Sequence, residues 1–362
     1  MQHSNETSVS QNVVNAECCP TVPVLFKNQL KSWVHAPLTV NDLVKKCKNP
    51  ALTFRVSSRS SDGISWEGSA VYVTASISEF VDWQSSETND LDNSNPFYSF
   101  CKNDYWAYSS YNYMHFTFDD NSEILQAVNW GTFGLPEEPG NESAFWLGSM
   151  GAYTPCHYDS YGYNVVAQIL GRKKWVLFPP EDSAFMYPSR IPYEESTVFS
   201  AVNILNPDLS VHPLFKNSHP HIVILNPGDA LLVPKHWWHF VLCMDDVTVS
   251  INNWIKLDSD HESRLEESVT RALITGLIPC YEPKGESWLN LKEDLMPPDV
   301  TLDCLTAALN KWSKQNVIMN EKNNSMPKLA KTSTKCHVHC SSVKTNIHHI
   351  FKHDDFQYVK PT

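Results

Sequence analysis

Short apolar runs separated by glycine, proline and polar turns dominate the middle of this chain. Between Phe145 and Trp254 they read FWLGSMGAYTPCHYD, NVVAQIL, KKWVLF, HIVIL, ALLVP, HFVLCM and VTVSINNWI. Most have strand length and are rich in β-branched and aromatic side chains. Asn226-Pro227-Gly228-Asp229 separates HIVIL from ALLVP, with proline and glycine at the central positions of a tight turn. Several short strands joined in this way predict a mainly β protein, a double-sheet antiparallel barrel of the jelly-roll or cupin class.

The flanks follow other patterns. Residues 1–20 are polar and rich in Ser, Asn and Gln, which predicts a disordered lead-in. Residues 21–95 read as an N-terminal α/β extension of the barrel. TVPVLFKNQL predicts a short strand, followed by a loop and a helix started by Thr39 or Asn41 with Leu43 and Val44 on its inner side. ALTFRV at 51–56 predicts a strand, and SAVYVTASISEFVDW a strand from Ala70 to Thr74 and a capped helix from near Ser76 or Ser78. Residues 85–96 have no apolar period and read as a surface loop. The barrel is expected over 96–258. Within it, YWAYSSYNYMHFTF at 105–118 crowds seven rings into fourteen residues, enough for core strands or the wall of a pocket. The stretch 181–218 is long for a loop inside a domain and is expected to border the mouth of a site.

C-terminal helices are predicted over 259–320. In the first, over 259–277, Leu265, Val269, Ala272, Leu273 and Leu277 form one stripe, read as the face packed on the barrel. A homodimer through these helices is the alternative. A second helix is predicted over 300–315, and residues 321–362 read as a disordered tail.

Composition narrows the function classes. With 42% hydrophobic residues in 362, the chain can bury a sizeable core as one large or two ordinary domains. A net charge of −12, with Arg172-Lys173-Lys174 as the longest basic run in the body, argues against a nucleic-acid or anionic-membrane partner. No signal peptide or membrane span is legible. Ten cysteines without a disulfide rhythm suggest free thiols in a reducing compartment, the cytoplasm, with the nucleus also open to it.

The chemistry begins at Thr154-Pro-Cys-His157-Tyr-Asp159. In an extended segment, residues two apart share a face, so His157 and Asp159 point together while Tyr158 points away. An imidazole beside a carboxylate offers two positions of the 2-His-1-carboxylate triad that holds divalent iron and leaves its opposite face open. His239, on the extended run after PGDALLVP, is the candidate third ligand, with His236 its competitor. A second H-x-D pattern, His353-Asp354-Asp355, lies in the polar tail with no strand to orient it and is set aside. An iron oxygenase needs two further electrons, which 2-oxoglutarate supplies by oxidative decarboxylation. Its distal carboxylate needs a buried cation and a hydroxyl donor. Lys173 and Thr154 are the candidates, and Arg172 and Lys174 compete because strand parity around Gly171 is open. In the tail, Cys336-His-Val-His-Cys340 has zinc-type ligands at a spacing that matches no standard finger, and is read as adventitious.

These residues, with Gly171-Arg-Lys173-Lys-Trp-Val-Leu-Phe-Pro-Pro180, Pro227-Gly-Asp-Ala-Leu-Leu-Val-Pro234 and Trp237-Trp-His239, resemble the JmjC domain. They are similar to the branch that includes the asparaginyl hydroxylase acting on hypoxia-inducible factor. Trp106-Ala-Tyr108, Arg190-Ile-Pro-Tyr-Glu-Glu-Ser196 and Val247-Thr-Val-Ser-Ile-Asn252 are closer to a branch associated with a small heat-shock protein. The resemblance implies a double-stranded β-helix binding Fe(II) through His157, Asp159 and His239. It implies 2-oxoglutarate held by Thr154 and Lys173, with Asn252 a further contact near the metal. Hydroxylation of a protein side chain is the favoured activity, ahead of lysine demethylation. The alternative it implies is a binding protein that associates with a small heat-shock protein in the stress response, with little or no catalysis. One extra residue between His157 and the Gly-x-Lys turn leaves Asn164 unmatched, and the upstream aromatic that would touch the cosubstrate is Tyr105, Trp106 or Tyr108.

Overall fold

A computed structural model describes residues 20–33, 39–61, 63–87, 91–282, 288–290, 295–325 and 356–358. Its strands are β1 (Val24–Phe26), β2 (Leu52–Ser58), β3 (Val71–Ala75), β4 (Tyr105–Tyr113), β5 (Ala144–Gly148), β6 (Tyr153–Asp159), β7 (Tyr163–Leu170), β8 (Lys173–Phe178), β9 (Pro188–Glu194), β10 (Thr197–Ser200), β11 (His221–Leu225), β12 (Ala230–Pro234), β13 (Trp238–Cys243), β14 (Thr248–Ile255) and β15 (Phe356–Tyr358). A major sheet runs β15-β1-β12-β7-β14-β5-β4-β2-β3, and a minor sheet runs β11-β8-β13-β6-β10-β9. From β5 to β8, and again from β11 to β14, successive strands alternate between the two sheets. That alternation is the double-stranded β-helix predicted from the strand pattern.

Burial explains the runs. β7 reads as continuously apolar because both faces of the major sheet are covered. Val165 and Ala167 pack into the core beneath the N-terminal layer, and Val166 faces Leu177, Leu231 and Val241 inside the barrel. The Pro227-Gly228 turn is fixed by its aspartate. Gly228 takes φ 99°, and the Asp229 carboxylate accepts from the backbone N–H of Asn226 at 3.0 Å and of Asn28 at 3.0 Å, tying the turn to the N-terminal strand.

The N-terminal elements join the major sheet at its two ends. Helix α1 (Val40–Lys46) is capped by Thr39 and α2 (Ile77–Ser85) by Ser76, each through a capping box that reaches Asp42 or Glu79. The strand before α2 lies one residue later than predicted, at Val71–Ala75. Two single-turn helices follow β4, α3 (Met114–Thr117) and α4 (Glu123–Ala127).

Three expectations are corrected. The 181–218 stretch is not a loop throughout, because β9 and β10 extend the minor sheet beside β6, with Phe199 opposite His157 and Thr197 opposite Asp159. Pro188 and Pro192 hide this strand from pattern reading, and proline is tolerated there because β9 is an edge strand. Next, α5 (His261–Tyr281) turns its predicted stripe outward. Val269, Leu273 and Leu277 are 41%, 60% and 48% exposed, and the buried face carries Glu267, Arg271, Ile274, Thr275 and Ile278. The period rule assumes an apolar partner surface, whereas α5 docks on the β9–β10 insertion through charges. The Glu267 carboxylate accepts from Arg190 Nη1 at 2.7 Å and from the Ser196 backbone N–H at 2.9 Å, and Arg271 pairs with Glu195. Its neighbour α6 (Pro298–Ser325) packs on α5 and outruns the predicted helix. Finally, β15, inside the stretch expected to be a tail, pairs with β1. Residues 1–19, Cys336–Cys340 and the second H-x-D pattern lie outside the described residues.

Candidate metal and cosubstrate site

Strands β6 and β13 are antiparallel neighbours whose pairing sets His239 directly opposite His157, with the register shifting between His239 and Val241. Asp159 follows two residues on, on the same face, while Tyr158 turns away to pack edge-on against Trp238 at 4.7 Å between ring centroids. The ligand atoms of His157, Asp159 and His239 all lie within 4.8 Å of one another. Each imidazole is oriented by the backbone two residues earlier. His157 Nδ1 donates to the Pro155 carbonyl at 2.8 Å and His239 Nδ1 to the Trp237 carbonyl at 2.9 Å, which leaves both Nε2 lone pairs toward the shared space. The competitor His236 sits at φ 68° in the preceding turn, with Nε2 on the Ser160 carbonyl at 3.0 Å, and does not join the group.

Burial lowers the pKa of both imidazoles from 6.5 to about 4, and for His157 the neighbouring His239 adds to the effect. Both are therefore neutral, the state that ligates metal, at neutral pH. Burial raises the pKa of Asp159, opposed by His157 and by the Trp254 indole N–H, which favour the ionised carboxylate. Two neutral imidazoles and a carboxylate on one side of an open space suit a divalent first-row metal of the iron type.

The three groups line a cavity of about 350 Å³ between the sheets, together with Thr154, Lys173, Ser250 and Asn252. Lys173 opens β8 and is 2% exposed. Its Nζ donates to Ser250 Oγ at 2.7 Å and to the Tyr108 hydroxyl at 3.2 Å, and it lies over the Tyr108 and Trp146 rings at 5.2 and 5.9 Å. No carboxylate among the described residues pairs with it. A buried ammonium held by hydroxyls and ring faces, with no carboxylate partner among the described residues, is a ready receptor for an anionic group. Its competitors point elsewhere. Arg172 forms a two-pronged surface pair with Asp245 at 3.0 and 2.7 Å, and Lys174 alternates to the opposite face of β8. Thr154 stands beside the Tyr108 phenol, whose pKa is raised by burial against the influence of Lys173 and the Thr154 hydroxyl. Of the three upstream aromatics, Tyr108 is the one that reaches Lys173 and lines the cavity.

Residues 11–261 match the family model described as a cupin-like domain. The chain belongs to the cupin-like (JmjC) family. It is 43% identical over 277 residues to HSPB1-associated protein 1 of Bos taurus, covering 76% of this chain and 57% of that one. It is also 43% identical over 273 residues to the Homo sapiens protein of the same name, covering 75% and 55%. The lysine-specific demethylase JMJ31 of Arabidopsis thaliana is 39% identical over 156 residues, covering 42% of this chain and 28% of that one. The chain thus spans little more than half the length of the HSPB1-associated relatives.

Within this cupin-like barrel, Asn252 is tied to two partners that the sequence reading did not place. Its Oδ1 accepts from Trp146 Nε1 at 2.7 Å, and its Nδ2 donates to Asn164 Oδ1 at 2.8 Å. Asn164 is brought into the site from β7 despite the unmatched spacing. Ser250 was missed too, although it lies two residues before Asn252 on β14 and the period-two rule puts both on one face. Tyr111 and Glu194 had no such signal, since they meet across the fold at 3.0 Å.

The lowered imidazole pKa values make a stability prediction. Unfolded histidines titrate near 6.5, so between 6.5 and about 4 the unfolded chain binds protons that the folded protein does not. That contribution is present above this window and lost as pH falls through it. Asp159, with its raised pKa, works in the opposite sense between its unfolded value and its folded one. Metal-free protein should lose on the order of a few kcal/mol from pH 6.5 to 4, measured by denaturant unfolding at each pH. A His157→Asn, His239→Asn double variant should show a shallower decline. Identical declines in the two proteins would refute the assignment.

Proposed function

We propose that this cupin-like protein is an Fe(II)- and 2-oxoglutarate-dependent oxygenase that hydroxylates a protein side chain. The observation that carries the reading is the meeting, in one cavity, of the His157, Asp159 and His239 ligand atoms with the buried Lys173. His157, Asp159 and His239 would hold iron, and Lys173, Tyr108, Ser250 and Thr154 would receive the distal carboxylate of 2-oxoglutarate. Iron and 2-oxoglutarate together supply oxidation of a substrate C–H bond by dioxygen, coupled to decarboxylation of the keto acid.

The chain's own residues prepare the space. Val166 and Val241 contribute hydrocarbon to its wall, and a less watery interior strengthens charge pairing. Asn252, fixed by Trp146 and Asn164, presents a rigid polar group beside the ligands. Trp254, 40% exposed, stands at the open rim where a substrate side chain would enter. A net charge of −12 favours a protein substrate over one bound to nucleic acid, and so hydroxylation over demethylation of chromatin.

The test is turnover of carboxyl-labelled 2-oxoglutarate by purified protein with Fe(II) and ascorbate. Iron-dependent release of labelled carbon dioxide is expected, faster with substrate. Gain of one oxygen atom by a peptide, without formaldehyde, identifies hydroxylation. No release, with no binding of an inert 2-oxoglutarate analogue in the presence of Mn(II), sinks the reading. The names of the relatives favour a second reading, in which the protein associates with a heat-shock protein. Co-precipitation of such a protein, undiminished by Asp159→Ala and accompanied by no turnover, would favour this scaffold role.

A further inference from the structure

Tyr111 sits where β4 slips against β5. Ser109 pairs with Leu147 and Asn112 with Phe145, so β4 accommodates an extra residue, and Tyr111 takes φ 57°. A bulky aromatic residue seldom adopts a left-handed backbone, and strain of that kind gathers at functional sites. Bulges beside sites serve to re-aim a side chain. Here the Tyr111 ring enters the cavity, 4.6 Å from Trp146 and stacked on Trp254 at 5.9 Å with the planes 15° apart. Trp254 lines the same cavity as Tyr111 and Asp159, and its indole N–H favours the ionised Asp159 carboxylate.

The phenol is anchored from outside the barrel. Tyr111 O–H donates to Glu194 Oε1 at 3.0 Å, and Glu194 Oε2 accepts from Asn290 Nδ2 at 2.7 Å. Asn290 belongs to the segment 288–290 beyond α5. That segment runs parallel to the end of β9, with Tyr193 N–H donating to the Trp288 carbonyl and Asn290 N–H to the Tyr193 carbonyl at 3.1 Å. Asn290 is 3% exposed, and its own Oδ1 has no hydrogen-bond partner among the described residues. Native structures seldom bury an unpaired acceptor without a use for the residue that carries it. The same three residues, Tyr111, Glu194 and Asn290, wall a narrow cleft directly behind His157 and Thr154.

We propose that Glu194 and Asn290 are positioning residues, a latch by which the segment beyond α5 holds Tyr111, and through it Trp254, against Asp159. Docking of this segment and metal affinity are then coupled, on the reading that His157, Asp159 and His239 are the ligands. Linkage makes the coupling reciprocal, so metal tightens the segment by the factor by which the segment tightens metal. Groups that orient a metal ligand from outside its coordination sphere typically change affinity by about 10–100-fold when removed.

The experiment uses the full chain and Co(II) alone, titrated under argon and followed by its visible absorption. Asn290→Ala and Glu194→Gln are each expected to weaken Co(II) binding about tenfold or more. Tyr111→Phe, which removes one hydroxyl and keeps the ring, should weaken it in the same direction. The Tyr111→Phe, Asn290→Ala double variant should be no worse than the worse single, because both act along one path. In wild type, Co(II) should slow hydrogen exchange at the Tyr193 and Asn290 amides, and in Asn290→Ala it should not slow exchange at Tyr193. A merely structural role would leave that metal dependence in place. Folded variants that bind Co(II) within about twofold of wild type, below the usual effect of such groups, overturn the latch alone. So does wild-type exchange that Co(II) leaves unmoved. Wild type that takes up no Co(II) overturns the ligand assignment and the latch together. If the Asn290 and Glu194 variants do not fold, Tyr111→Phe decides.

Discussion

Asp159→Ala is expected to reduce affinity for Fe(II), or for Mn(II) and Co(II) in its place, by on the order of a thousandfold while the protein stays folded. Asp159 is the charged member of a group whose other two members are neutral imidazoles. At the effective dielectric near a protein surface, a unit pair about 4 Å apart is worth about 4 kcal/mol, which is roughly three decades of affinity. A divalent ion in direct contact gains at least that. The fold should survive because burial already disfavours the carboxylate, as its raised pKa records. Anaerobic titration measures the loss, and melting with and without Mn(II) checks it independently. Metal should raise the wild-type Tm and leave that of the variant unmoved. Affinity retained within about tenfold, less than a typical outer-shell loss, would remove Asp159 from the ligand set.

The second large effect has two opposite signs. Lys173→Met should weaken 2-oxoglutarate binding by roughly a hundredfold to a thousandfold, yet stabilise the unliganded protein. Breaking one side of a buried ion pair costs about 3–5 kcal/mol, and the pair in question forms only when a carboxylate arrives. Without it, the ammonium is buried against the Ser250 and Tyr108 hydroxyls with no ion-pair partner among the described residues. Methionine fills similar space beside Tyr108 and Trp146 without a buried charge, a change that commonly gains about 1–4 kcal/mol. Isothermal titration with 2-oxoglutarate in the presence of Mn(II), and denaturant unfolding in its absence, read the two signs separately. A variant that loses both binding and stability would mean that Lys173 serves the fold rather than a ligand. The trade of stability for function is expected where a site must hold a charge ready.

Local pattern carried the architecture far. Period two placed His157 and Asp159 on one face, glycine and proline marked the turns, and the helix starts were legible to within two residues, Thr39 or Asn41 for α1 and Ser76 or Ser78 for α2, of which the structure shows Thr39 and Ser76 closing capping boxes. The outward stripe of α5 was misread for the opposite reason. Its buried face mixes Ile274 and Ile278 with Glu267 and Arg271, whose charges are satisfied by Arg190, Ser196 and Glu195 from another part of the chain, so no local period announces it. β9 was masked by its prolines, which only its edge position allows.

By itself, then, the sequence determined the barrel class, the shared face of His157 and Asp159, and a small set of candidates for each remaining role. Alternation along a strand and turn chemistry are properties of neighbouring residues. The tertiary structure brought His239 rather than His236 beside His157 and Asp159, and turned Lys173 rather than its two neighbours into the cavity, because strand register and the direction of a side chain across a sheet depend on pairing with distant strands. It alone joined Tyr111, Glu194 and Asn290, residues 83 and 96 positions apart along the chain, into one hydrogen-bonded line. Contacts of that separation are set by packing of the whole domain, and no local pattern encodes them.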